Sequence, residues 1–297
     1  MLVTQRWERE FHAMGTDCHV IVIGGSRQLT TRAVDHVADL QARWTRFDST
    51  SEVMTLNRAG AGSVSEATWQ LLTKGLVGRR FTRGRFDPFM VRGIVAAGYD
   101  RDFADLTEPT QRTERWKEAR AVPAVPVPVV ALDRRRRWVR LADGAELDSG
   151  GLGKGLAADI VSGDLMARGA TAVLVNLGGD LRVRGAKGEP WQIGVDSEGP
   201  GSQISIRLAA GAVATSSRSH RVWATAAGEA HHLLDPRTGR PLQGQWAGAT
   251  AIAPSGWVAE VLSKTLLMLP AAAARRLVRR HWAGGFRQDP TGQVEQL

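Results

Sequence analysis

Residues 147–159 read LDSGGLGKGLAAD. A carboxylate, Asp148, precedes Gly150 and Gly151, then Gly153-Lys154-Gly155, and an apolar helical pattern follows. Glycine at this density predicts a turn that uses positive φ and admits a ligand close to the main chain. The unpaired N–H groups that open the next helix favour an anionic group. Lys154 adds a point charge, so the stretch reads as a phosphate cradle. It is not a P-loop, which needs Gly in place of Asp148 and Ser or Thr in place of Gly155. It is not a dinucleotide fingerprint either, because Gly151-x-Gly153-x-Gly155 lacks that spacing. A glycine-rich strand-to-helix turn with a solvated lysine leaves the same signature.

Upstream of this turn, residues 11–24 are expected to form a hairpin with Gly15 as its kink. Leu29, Ala33, Val37, Leu40 and Trp44 recur at helical spacing within residues 26–47. Ser51 N-caps a short helical piece, SEVMTLN, and residues 65–77 form another helix. Arg85-Phe86-Asp87-Pro88 is an extended-to-turn signal, since a residue before proline avoids the helical region. Residues of about 100–128 are charged and then proline-rich, a surface excursion and not a domain boundary. Residues 129–132 and 138–141 pair as a hairpin.

Downstream, a helix over 152–168 stops at Gly169. Strands are expected at 172–175, 181–184, 191–195, 204–208, 212–215, 231–234 and 247–252, with a tight turn at Asp235-Pro-Arg-Thr-Gly239. Helices over 255–269 and 271–282 close the chain. Clustered strands with few helices favour α+β, mainly antiparallel sheets packed with helices, over doubly wound α/β. Residues 1–297 are read as a single domain.

At 297 residues and 43% hydrophobic, the chain can bury a full core. Cys18 is its one cysteine, which excludes an internal disulfide and gives no sign of an oxidising compartment. No apolar run reaches the length of a membrane span. Glu8 and Glu10 stand where a signal peptide needs its apolar segment. A cytoplasmic setting is expected. The net charge of +9 raises the question of nucleic acid. The one dense run, Arg134 to Arg137, sits between two strand-like segments as a hairpin tip, and the other arginines are scattered. No nucleic acid is expected, and the charge suits an anionic small ligand.

Eight motifs stand in order: MGT at Met14, SEVMTLN at Ser51, FDP at Phe86, LDSGGLGKGLAAD at Leu147, VNLGGDLRVRG at Val175, AVATSS at Ala212, HHLLDPRTGRP at His231 and AEVLSK at Ala259. Together they resemble the ApbE family, the FAD:protein FMN transferases, over about residues 11–269. The resemblance implies a T-fold-like α+β domain that splits FAD. Such an enzyme moves the FMN moiety onto a Thr or Ser hydroxyl of a client flavoprotein and releases AMP, with magnesium assisting. Some relatives hydrolyse FAD instead. It further implies an FAD site lined by Met14, Phe47, Arg85, Phe86, Asp87, Gly150, Leu156 and Leu233, with Lys154 on the diphosphate. Phe47 either stacks on a ring of FAD or is an ordinary helix-end core residue. His232 is the implied base. In strict strand alternation only one of His231 and His232 faces a site, and the motif selects His232. Asp235 orients it or caps the turn after it.

The metal positions depart from the family. By resemblance the ligands are a carbonyl, here that of Gly153, and the side chains at Glu260 and Lys264. Glutamate is still a hard oxygen donor, but a protonated lysine cannot ligate a cation. Four residues from Glu260, it is expected to form an ion pair with it. Either the Lys264 ammonium stands where magnesium would, or the chain binds or hydrolyses FAD with little or no transfer. A shifted register, with Ser263 or Thr265 supplying an oxygen, is the third reading.

Overall fold

The computed structural model describes residues 5–101, 103, 128–185, 188–196, 198, 203–225 and 228–297. The expected excursion at 100–128 lies almost wholly outside them. Seven helices are described: α1 Gln28–Trp44, α2 Glu52–Ala59, α3 Glu66–Phe81, α4 Val91–Ala96, α5 Gly153–Ala167, α6 Gly256–Leu266 and α7 Ala271–Arg280. The first nine strands are β1 Arg6–Ala13, β2 Thr16–Ile23, β3 Ala61–Ser63, β4 Val129–Asp133, β5 Trp138–Leu141, β6 Ala172–Leu177, β7 Asp180–Gly185, β8 Trp191–Val195 and β9 Ile204–Leu208. The rest are β10 Gly211–Ser217, β11 Val222–Thr225, β12 Gly228–His231, β13 Leu234–Asp235, β14 Arg240–Pro241, β15 Gly248–Ala253, β16 Gly284–Gln288 and β17 Val294–Gln296. The fold is α+β with mostly antiparallel pairing, as the strand clusters predict. Among the described residues no helix is long and apolar enough to cross a membrane.

The chain divides into two compact units, Met1–Gln41 with Leu152–Ser216 and Gln245–Leu297, and Ala42–Gly151 with Ser217–Gly244. Among the described residues the first holds an eight-stranded sheet in the order β1-β2-β6-β7-β10-β15-β16-β17. Two of its hairpins turn through paired left-handed residues, Met14 (φ 54°) with Gly15 (φ 66°) and Gly178 (φ 65°) with Gly179 (φ 90°). That backbone matches the right-handed twist of the strands it joins. Both faces of the central strands are buried: Val20, Val22, Val173 and Val175 are fully enclosed. Ile21, Leu174 and Val183 pack with Trp191, Ile193 and Leu208 of the β8–β9 hairpin. Helices α5 and α6 pack on each other, α5 also against β6 and β7 and α6 against β15.

The last hairpin, β16–β17, is absent from the sequence reading. Its strands are five and three residues long, and the first begins with two glycines, so they carry no periodic signal. Distant contacts hold it instead. The Arg287 guanidinium bonds the carboxylate of Glu295 and the carbonyls of Leu266 and Leu269, and it stacks 4.3 Å above the Trp246 ring.

The second unit carries α2, α3, α4, a sheet in the order β3-β5-β4, and the pairs β11–β12 and β13–β14. Ser51 and Ser65 cap α2 and α3, each accepting a backbone N–H at 3.2 Å. Arg134 to Arg137 form an exposed hairpin tip between β4 and β5, held by Asp133 Oδ1 accepting the N–H groups of Arg135 and Arg136. Residues 231–234 are not one strand. The chain leaves β12 at His231, bends at His232 and Leu233, and re-pairs at Leu234 with Pro241.

Candidate active site

In the first unit five of the eight motifs meet through a chain of hydrogen bonds. Gly178 of the NLGGD turn donates its N–H to Asp17 O at 3.1 Å, beside the Met14–Gly15 turn. Asp180, which opens β7 and is nearly fully buried, forms an ion pair with Lys154 in the first turn of α5. One residue on, Gly155 donates its N–H to Glu260 Oε2 of α6 at 2.8 Å. Ser263, one turn further along α6, shares a 2.8 Å hydrogen bond with Ser216 at the end of β10. Lys154 is thus held by a buried carboxylate and is not a solvated lysine.

The glycines act by contact rather than by φ. Gly150, Gly151, Gly153 and Gly155 are outside the left-handed region, which corrects the expectation of positive φ. A Cβ on Gly155 would run into the carbonyl of Gly256, and one on Gly256 into the carbonyl of Gly155. The backbones of α5 and α6 therefore touch at their N-termini, which brings Glu260 to the Gly155 N–H. Ser255 makes no side-chain cap to α6. Asp159 of α5 supplies it, accepting the N–H groups of Gly256 (3.0 Å) and Trp257 (3.1 Å). Burial pushes the Asp159 carboxyl up, against those hydrogen bonds and the charges of Arg182 and Arg184.

Glu260 and Lys264 form the expected pair, with Nζ 3.2 Å from Oε1. Both Glu260 oxygens thus face donors. Burial pushes the Glu260 carboxyl up, and the Lys264 charge opposes that shift. The residues present do not fit a divalent cation: the one carboxylate is taken by an ammonium and an N–H, and Lys264 offers no lone pair. Among the described residues no group of three or more His, Cys, Asp and Glu side chains is arranged to hold a metal. Leu156 is fully buried, and Met14 is half-buried in its turn.

In the second unit, the start of the glycine stretch is tied to the FDP segment. Asp148 donates its N–H to Pro88 O at 2.7 Å, and a Cβ on Gly151 would fall 2.8 Å from the Phe86 ring. The Gly150 N–H goes to Asp148 Oδ1 (3.1 Å). Phe86 is buried, and Asp87 pairs with Arg79 at 2.8 Å while accepting the Phe89 N–H. Arg85 is half-buried with its Nε enclosed and unbonded among the described residues. Phe47 is 43% exposed, which argues against the helix-end core alternative. Its ring lies 6.0 Å from Tyr99, and the Arg46 guanidinium sits 4.3 Å over it and 4.4 Å over Tyr99. Arg46 and Tyr99 were not singled out by the sequence; single residues of these types in unpatterned segments give no signal.

The two histidines differ sharply. His231 accepts the Leu233 N–H at Nδ1 (3.3 Å) and lies 3.1 Å from Leu242 O through Nε2. This pattern fixes a neutral Nε2–H tautomer, and burial lowers its pKa in the same sense. His232 lies in the bend that follows, half-buried, so strand alternation does not govern the pair. Leu233 beside it is buried. Asp235 is engaged in its own turn: it accepts the N–H of Arg237 (2.9 Å) and both guanidinium contacts (3.0 and 2.6 Å), while its carbonyl accepts from Gly239 (2.8 Å).

The model of the ApbE family matches residues 14–284. The FAD:protein FMN transferase of Haemophilus influenzae is 24% identical over 275 residues, 86% of this chain and 78% of that protein. That of Klebsiella pneumoniae is 25% identical over 282 residues, 90% and 79% of the two chains. The crystal structure of the ApbE protein of Thermotoga maritima superposes with a TM-score of 0.84 at 26% identity, covering 98% of this chain and 97% of that one. Matched by the family model over most of its length and sharing this fold almost end to end, the chain belongs to the ApbE family.

Proposed function

We propose that this protein is an FAD:protein FMN transferase. The observation that carries the reading is likeness along nearly the whole chain to proteins of that name and fold. The acceptor is a Thr or Ser hydroxyl of a client flavoprotein. Its oxygen attacks the phosphorus on the FMN side of FAD, the bond to the AMP phosphate breaks, and the electron pair leaves on AMP. His232 takes the hydroxyl proton, since a neutral imidazole is a competent acceptor near pH 7. His231, with both nitrogens engaged by backbone groups, is a poor alternative. Asp235 acts as a turn cap that holds the histidine segment in shape.

Phosphoryl transfer leaves the protein mainly positioning and charge to supply. Lys154 is the cationic group we assign to the diphosphate, with Arg85 among the residues of the FAD site by resemblance. Phe47, with Arg46 over its ring, offers an exposed aromatic face for a flavin or adenine. Met14, Phe86, Asp87, Gly150, Leu156 and Leu233 complete the FAD site by resemblance, the buried ones through their main chain. The buried thiol of Cys18 suits a cytoplasmic setting.

A second reading, FAD binding or hydrolysis without transfer, draws on the Glu260–Lys264 pair. Incubating the protein with FAD and a threonine-bearing client separates the two. A client adduct of FMN mass is expected; bound or hydrolysed FAD with no adduct defeats the transferase.

A further inference from the structure

We propose that the Lys264 ammonium is a built-in counter-charge at Glu260, so that this chain takes no divalent cation there. The consequence for turnover, transfer without added metal, rests on the transferase reading; the binding claim does not.

Glu260 is fully buried, and each of its carboxylate oxygens already meets a positive or polar donor: Lys264 Nζ at 3.2 Å and the Gly155 N–H at 2.8 Å. The ammonium also lies 3.4 Å from the Glu260 carbonyl. It belongs to the same helix face as the carboxylate, so it is positioned by α6 itself. Mg²⁺ demands about six oxygens in a near-octahedral shell. The nearby hydroxyls are already engaged by the chain. Thr265 Oγ1 donates back to Val261 O (2.8 Å), and Ser263 Oγ bonds Glu260 O (3.0 Å) and Ser216.

Charge balance leads the same way. Lys154, Asp180, Glu260 and Lys264 are two cations and two anions with mutual electrostatic contact. With all four ionised the group is neutral. A dication would leave it with an excess of two positive charges in an enclosed place, which low-dielectric surroundings penalise heavily.

The test uses the full-length chain after EDTA treatment, titrated with Mn²⁺ and followed by the EPR signal of the free ion. No saturable site is expected up to about 1 mM. Lys264→Thr is expected to gain one Mn²⁺ per chain, at least about tenfold tighter than any wild-type binding. One Mn²⁺ per wild-type chain that vanishes in Glu260→Gln overturns the proposal, as does a folded Lys264→Thr with no gain. If that variant does not fold, the wild-type titration decides. In parallel, client adduct is measured with FAD in EDTA and in Mg²⁺. Yields within about twofold of each other are expected, and adduct only in Mg²⁺ overturns the metal-free step. Adduct in neither arm counts against the transferase reading alone, because the Mn²⁺ titration is independent of it.

Discussion

Cys18 is 3% exposed on β2, two residues beyond the Thr16 that ends the Met14–Gly15 turn, with Sγ 3.6 Å from Ala13 O. Burial pushes its thiol up to about 11. Since the thiolate is the reactive species, iodoacetamide at pH 8 is expected to leave the native protein unlabelled and to label it fully in denaturant, read by mass. At His232 the expectation is functional. His232→Ala should keep FAD binding, followed by flavin fluorescence, and lose about 10²–10⁴-fold in adduct formation; unchanged transfer removes it as the base. Asp235 offers a pH signature. Burial opposes its ionisation, but the hydrogen bonds and charge of Arg237 outweigh it and hold the carboxyl below the ordinary range. A folded pKa below the unfolded one gives stability that is complete above the unfolded value and is lost as pH falls through the folded value. Asp235→Asn is therefore expected to cost about 1–2 kcal/mol at pH 7, with the two urea-unfolding curves converging in acid. The difference between His231 and His232 was only half visible in the sequence. The motif picks out His232, but the bend that separates the pair comes from Leu234 pairing with Pro241 and from Leu233 O accepting the Leu242 N–H.

The helices were legible where their apolar spacing or a cap lies within one segment, as in α1, α2 and α3. The meaning of the glycine stretch was not, because Gly155 answers to Gly256, far along the chain. Local reading offers φ or the close approach of a ligand as reasons for glycine, and at Gly155 the structure shows a backbone contact that no spacing reveals. Two alanine substitutions separate these reasons. Gly155→Ala forces α5 and α6 apart and is expected to cost about 3 kcal/mol. Gly163→Ala, in the same helix, meets open space and is expected to gain about 0.5–1 kcal/mol from helix propensity. Urea midpoints read both, and equal effects would mean that the α5–α6 contact does not constrain the helix. The same contact explains the cap: with the two N-termini touching, Asp159 is near enough to serve α6, and the side chain of Ser255, which directly precedes the helix, is not used.

Across the whole molecule, the class of fold was readable because hairpin signals outnumber helical ones and arrive in groups. The full extent of the large sheet was not, since its last two strands are short and are held by Arg287. That guanidinium is 2% exposed and is satisfied by Glu295 and two carbonyls. A chain ending at Ala283 loses it, leaves Leu266 O and Leu269 O without this donor, and opens the side of β15. Such a truncation is expected to be recovered mainly as aggregate, by sedimentation of the soluble fraction. With residues 284–297 in place, the sheet is bounded on one side by three-residue β17. On the other side is β1, whose Arg6, Glu8, Arg9 and Glu10 are all exposed. A border of alternating charge and a short stub give a neighbouring chain little to template on. Concentrated stocks are accordingly expected to stay free of thioflavin-positive fibrils, and a client should come to this enzyme by a loop or a terminus and not by adding itself as a ninth strand.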